Sequence, residues 1–158
     1  MNVVVYPIDF INYWRIFFKK LKWGTRNTWI STAHAPLLLG AKPVLIDVLA
    51  ERPLIDPKLI ENKITNKTKA IIPVHLNGMS ANMDEILKIA ERHGLFVIED
   101  ACQAMLSKNQ KGFLGTLSNA GCFSFGVTKL MTTGLGGMVV TNDSQTYRQL
   151  KLIKNYGV

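Results

Sequence analysis

His93-Gly-Leu-Phe-Val-Ile-Glu-Asp-Ala-Cys-Gln-Ala104 is the stretch that decides the fold. Gly94 stands where a left-handed cap would end a helix, and Leu95 to Glu99 is a near-continuous apolar run of strand length that Asp100 closes. Such a run suits a strand covered on both faces, and a carboxylate at its C-terminal end lies at the edge where open α/β sheets place their ligands. Just upstream, Asn82 followed by Glu85 resembles a capping box, with Ile86, Leu87 and Ala90 lining one helical face. The pair reads as a helix feeding a buried strand.

The same alternation extends in both directions. Pro43 to Val48, Lys69 to Val74, Ala120 to Phe125 and Gly137 to Thr141 read as further strands. Asp56-Pro57 offers an N-cap and an N1 proline for a helix whose apolar face is Leu59, Ile60 and Ile64. A last helix is expected after Asn142-Asp143 through Tyr147, Leu150 and Ile153, with Lys151 and Lys154 at its C-terminal dipole end and Gly157 as its stop. Pro36 interrupts the segment Ser31 to Leu39, so a helix there is short, kinked or late in starting. From about residue 27 onward this is the βαβ pattern of an α/β protein, with a mostly parallel sheet and flanking helices.

Composition excludes several classes. The chain has 158 residues, 47% hydrophobic and 19% charged, which fits one domain or less with a genuine core. Its longest largely apolar stretches fall well short of the ~20 residues that cross a membrane, and no membrane span is expected. Cys102 and Cys122 form neither a CxxC pair nor a histidine-matched cluster, which argues against a disulfide framework and a zinc site and makes a reducing cytoplasm the default. The net charge of +8 would raise nucleic acid as a partner, but residues 1–26 carry Arg15, Lys19, Lys20, Lys22 and Arg26 against Asp9 alone. The remainder is only mildly basic, so neither nucleic acid nor a membrane is the expected partner. Residues 1–25 also hold Tyr13, Trp14, Phe17, Phe18 and Trp23 among the basic residues, a mixture that could form an amphipathic helix. They have no evident place in the sheet, and residues 1–26 stay unassigned.

The residues that could carry chemistry follow from the sheet edge. Ser124 and Lys129 lie in Ser-Phe-Gly-Val-Thr-Lys just after a strand, and together with Asp100 they point to pyridoxal phosphate. An aldehyde cofactor needs an amine for a Schiff base, and its pyridine nitrogen needs a carboxylate to remain protonated. Taken singly each residue has a plainer reading: Lys129 as a solvated loop lysine, Asp100 as a cap, Ser124 as a cross-strand bond. Gln103 could satisfy a turn, and Trp29 could be a core aromatic. His75 and His34 lack metal-ligand spacing and read as satisfied structural histidines.

A resemblance adds to this reading. Lys69-Ala-Ile-Ile-Pro-Val-His-Leu-Asn-Gly78, Ala81-Asn-Met-Asp84, His93 to Ala104, Gly121-Cys-Phe-Ser-Phe125, Lys129 and Thr132-Thr-Gly-Leu-Gly-Gly-Met-Val-Val-Thr-Asn-Asp143 follow one another as in the DegT/DnrJ/EryC1/StrS sugar aminotransferases, which the chain resembles over residues 27–158. The resemblance implies fold type I of the pyridoxal phosphate enzymes, with residues 27–158 a partial cofactor-binding large domain, incomplete at both ends. It implies a homodimer that moves an amino group, usually from glutamate, onto a nucleotide-linked keto sugar.

Carried over, Lys129 would form the Schiff base and shuttle protons, Asp100 would pair with the pyridinium, and Ser124 would bind phosphate. Gln103 would sit near the ring hydroxyl, and Trp29 would stack on the ring. Leu135 replaces a commonly acidic residue, Gly126-Val127 replaces the usual aromatic or histidine with proline, and Gly24-Thr25 does not correspond to the family's phosphate loop. The rival expectation is a non-catalytic remnant that presents surface to a longer partner, with unpaired sheet edges.

Overall fold

The computed structural model describes residues 2–6 and 28–155. Five strands form the main sheet: β1 (Asn2–Tyr6), β2 (Ala70–Ile71), β3 (Phe96–Asp100), β6 (Ala120–Ser124) and β7 (Gly137–Thr141). A small hairpin of β4 (Lys108–Asn109) and β5 (Gly112–Phe113) stands apart. The main sheet runs β1-β7-β6-β3-β2, and three helices, α1 (Ser31–Leu38), α2 (Met83–His93) and α3 (Ser144–Lys154), accompany it.

β2, β3 and β6 are parallel, as the alternating pattern requires. β7 reverses and pairs antiparallel with β6 because a loop, residues 125–136, joins them in place of a crossover helix. Asn2–Tyr6, within the segment that the sequence left unassigned, pairs antiparallel with β7 from Asn2 opposite Thr141 to Tyr6 opposite Gly137. The possible amphipathic helix around Tyr13 to Trp23 lies outside the described residues, as does the stop at Gly157.

α2 forms as its caps dictate. Asn82 Oδ1 accepts the Glu85 N–H at 3.3 Å, and Gly94 closes the helix at φ 61°, where a Cβ would be disfavoured. Its Met83, Ile86, Ile89 and Ala90 bury against Ile60, Ile71 and Val97. Full burial of a side chain such as Ile86 contributes about 2 kcal/mol. A second cluster joins Ala101, Ala104 and Leu114 to Phe123 and Val140.

Three expected elements differ. Pro43 to Val48 forms no strand; among the described residues it pairs only around a single bridge from Val48 to Ile55, where the Asp56 N–H reaches the Asp47 carbonyl at 3.0 Å, and Val44 and Leu45 are exposed. Apolar β-branched composition favours a strand only where a neighbour supplies ladder bonds, and no described strand lies beside this run. The helix expected after Asp56-Pro57 is two 3₁₀ turns, Pro57–Leu59 and Glu61–Lys63, although Asp56 does cap the Lys58 N–H at 3.0 Å. The strand expected over Lys69 to Val74 keeps only two ladder residues, because Pro73 has no N–H to give; its carbonyl still accepts from Asp100 N at 2.9 Å.

One close approach fixes the layer over β6. A Cβ on Gly121 would lie 1.8 Å from the Gly115 carbonyl oxygen, and Gly115 itself adopts φ +88° against the Phe123 ring. The segment around Gly115 can lie directly on the strand only because both residues lack side chains.

Candidate active site

Parallel strands bring their C-terminal ends to one edge, and the sheet collects the expected residues there. Asp100 ends β3, Ser124 ends β6, and Val74 bridges Asp100 at the end of the β2 segment. Register sets the faces. Val97 and Glu99 are buried, so Asp100 projects from the opposite face; its partner is Cys122, and Ser124 two residues on shares that face.

Both Asp100 oxygens are held. Oδ2 accepts the Thr32 hydroxyl at 2.5 Å and Oδ1 accepts the Cys102 N–H at 3.1 Å. The Thr32 oxygen also lies 3.3 Å from the Trp29 carbonyl, but one hydroxyl carries one proton, and the shorter, charge-assisted contact takes it. α1 is thereby tied by its first turn to the end of β3. Pro36 lies inside this eight-residue helix, which accounts for its brevity.

Trp29 itself, immediately upstream, is 56% exposed and so is not a core aromatic. Gln103 lies in the turn after Asp100, where its Oε1 accepts the Asn77 N–H at 3.2 Å. Ser124 Oγ accepts the Gly126 N–H at 3.3 Å. Lys129 rides on the β6–β7 loop, half-buried, its N–H bonded to the Gly126 carbonyl at 3.0 Å. The loop is pinned at its base by Phe125 N to Gly136 O at 2.8 Å and Thr133 N to Phe125 O at 3.0 Å.

The thiols report the local field. Burial, then the Asp100 charge, pushes the Cys102 thiol far above its usual range, while the Lys129 ammonium opposes that rise. Burial and Asp100 likewise push Cys122 up to about 11. Both cysteines are free, and both stay protonated near neutrality. Asp100 and Lys129 thus act on the same patch of the sheet edge.

Residues that the sequence reading did not single out hold this edge in place. Glu99 is fully buried and accepts four hydrogen bonds: His75 Nε2–H at 2.9 Å and Gly115 N–H at 2.7 Å on Oε2, Leu117 N–H at 2.7 Å and Ser118 Oγ–H at 2.9 Å on Oε1. Burial alone would raise its carboxyl; the His75 bond, with the other donors, outweighs it and holds the group below the usual carboxylate range. His75 is the satisfied histidine that the sequence predicts, its Nδ1 accepting the Ala81 N–H at 3.2 Å. A polar pair within two apolar runs was the available signal for Glu99. Thr32 had none, because its partner is 68 positions away.

No helix among the described residues is long and apolar enough to cross a membrane. The model of the DegT/DnrJ/EryC1/StrS aminotransferase family matches residues 24–158. The spore coat polysaccharide biosynthesis protein SpsC of Bacillus subtilis (strain 168) is 39% identical over 131 residues, which are 83% of this chain and 34% of that protein. DesV of S. venezuelae, solved in complex with a ketimine intermediate, superposes with a TM-score of 0.80 at 39% identity, over 84% of this chain and 36% of that one. DesI, solved in the presence of its TDP-sugar product, gives 0.80 at 32% identity, over 83% and 33%. The chain spans about a third of the length of the curated relatives it matches. With the family model matching all but the first 23 residues and the fold shared with DesV and DesI, the chain belongs to the DegT/DnrJ/EryC1/StrS aminotransferase family.

Proposed function

We propose that the chain supplies the cofactor-binding part of a pyridoxal phosphate-dependent aminotransferase that moves an amino group from glutamate to a nucleotide-linked keto sugar. The observation that carries this reading is the Asp100 carboxylate, fixed at the carboxyl edge of the sheet by the Thr32 hydroxyl and the Cys102 N–H.

The donor set fits that cofactor. Asp100 offers carboxylate oxygens to a protonated ring nitrogen. Because Gln103 Oε1 is occupied by the Asn77 N–H, its NH₂ is left to donate toward a ring oxygen. Because Ser124 Oγ accepts from Gly126, its own proton is free to donate to a phosphate. The exposed Trp29 indole would offer a stacking face. When bound, pyridoxal phosphate supplies an electron sink for bond changes at the amino-bearing carbon.

The chain's own work is then positional and acid–base. Asp100 would hold a proton on the ring nitrogen, and Lys129 Nζ would offer the amine for attachment and serve as the group that takes and returns a proton. Family membership supports amino transfer, and DesI, solved in the presence of its TDP-sugar product, supports a nucleotide-linked sugar as acceptor. Free thiols suit a cytoplasmic reaction.

A homodimer is part of the proposal. Val127, Leu130, Met131 and Leu135 are all exposed on the loop that carries Lys129, an apolar surface that a second copy would cover. The same surface favours the second reading, a non-catalytic module that only assembles with a longer partner.

Addition of pyridoxal phosphate to the purified chain, followed by borohydride reduction and mass-spectrometric mapping, separates the two. Stoichiometric labelling at Lys129, lost in Lys129→Ala, is the expected result. Scattered labelling of surface lysines, unchanged in the variant, would sink the cofactor reading.

A further inference from the structure

The turn that faces Gln103 is held in an unfavourable shape. Asn77 and Gly78 are consecutive left-handed residues, at φ 51° and 79°, a conformation that disfavours a residue with a side chain. Within the turn, the Met79 N–H bonds the Leu76 carbonyl at 3.0 Å. Asn109 Nδ2–H ties the turn from outside, donating to Ser80 Oγ at 3.1 Å, and three further bonds come from one residue. The His75 N–H donates to the Asp100 carbonyl at 3.0 Å, its Nε2–H to Glu99 at 2.9 Å, and its Nδ1 accepts from Ala81 N at 3.2 Å. The fully buried imidazole therefore spans the turn's far end and β3, while the Asn77 N–H within the turn reaches Gln103 Oε1 at 3.2 Å.

We propose that His75 is a positioning residue for Gln103: its ring clamps the 75–81 turn to β3, and the clamped turn fixes which end of the Gln103 amide is left to face a ligand. Among the described residues, the Asn77 N–H on Oε1 is the bond that distinguishes the oxygen from the NH₂ of that amide. The clamp sets the donor end outward. Its value for cofactor binding rests on the function proposed above; the clamp itself is a property of the free chain.

Two variants separate the two ring bonds. His75→Asn places an acceptor oxygen near the Nδ1 position and keeps the Ala81 bond, whereas His75→Gln keeps a donor for Glu99 and loses that acceptor. In amide hydrogen exchange, His75→Gln is expected to lower protection at Asn77 and Ala81 by about tenfold or more, while Ile86 and Ile89 in α2 hold theirs. His75→Asn is expected to lower it as well, because it keeps the Ala81 bond but cuts the ring's link to Glu99 on β3. A uniform loss across α2, or no change at Asn77 in either variant, would overturn the proposal.

A measurement on the unsubstituted chain guards against variants that fail to fold. ¹⁵N-imidazole spectra of His75 are expected to show the proton on Nε2 and a bare Nδ1, and a proton on Nδ1 refutes the clamp.

The cofactor arm is a double-mutant cycle on pyridoxal phosphate affinity. Gln103→Ala should weaken binding, and adding His75→Gln to it should weaken binding by less than about threefold more, because His75 acts through Gln103. Independent, multiplying losses would overturn that route. If the unsubstituted chain takes no label at Lys129, the cofactor reading fails, and the exchange and tautomer results alone decide the clamp.

Discussion

Glu99 and Asp100 are adjacent carboxylates with opposite tasks. Asp100 faces the edge of the sheet, where Thr32 and the Cys102 N–H orient it; Glu99 turns inward and receives four donors. Replacing Glu99 by Gln would put an amide NH₂ among those donors and leave at least one of them unmatched. The expected cost is about 3 kcal/mol, read from urea unfolding. A pH series checks the cause. The folded carboxyl titrates below its ordinary value, so its contribution to stability is fully present above that value and is lost as pH falls through the folded one. Stability of the parent chain should therefore decline on acidification through that window, and Glu99→Gln should flatten this part of the decline. An unchanged acid limb would show that Glu99 is not its source.

At the scale of elements, local signals and tertiary partners contribute unequally. α2 was legible because its stop and start are chemical: the Asn82 side chain takes the Glu85 N–H, and Gly94 takes the left-handed turn. Asn82→Ala should lower stability by about 1 kcal/mol in the same unfolding assay, with the helix retained by circular dichroism. β6 is governed by space. Gly121→Ala has no room beneath the Gly115 carbonyl, and a loss of soluble, cooperatively unfolding protein is expected; a variant of near-parental stability would mean that the segment around Gly115 can lift. Pro43 to Val48 shows the opposite limit. Its composition reads as a strand, yet pairing is a property of two segments, and one of them cannot be read from the run itself.

Over the whole molecule, the helix–strand alternation and the sheet edge were readable because periodicity and parallel topology together dictate where strand ends gather. Asp100, Gln103, Ser124 and Lys129, the residues proposed for the site, stand out along the chain itself. Their supports were not: Thr32 reaches Asp100 from 68 positions away and His75 reaches Glu99 from 24, and no local pattern encodes such meetings. Nor did composition reveal that Asn2–Tyr6 would add a strand beside β7, since an edge strand is defined by what it joins. The exposed apolar residues of the Lys129 loop give a prediction at this scale. Sedimentation should show concentration-dependent self-association of the chain, and Leu130→Asp, at a side chain 82% exposed, should weaken it without lowering stability by more than about 0.5 kcal/mol. Monomeric behaviour of the parent at all concentrations would argue against a second copy on this face.

The alternation of β3 has one more consequence. Because neighbouring side chains leave a strand on opposite faces, a slip of one residue against β6 would exchange the two acids. The shorter aspartate would be drawn inward among donors spaced for a longer side chain, and the glutamate would be turned out to where a ligand is awaited. Such a misregistered chain would forfeit its buried anion site and the edge proposed for the cofactor in a single error. Correct assembly of the interior is thus a proofreading step for the chemistry at the rim.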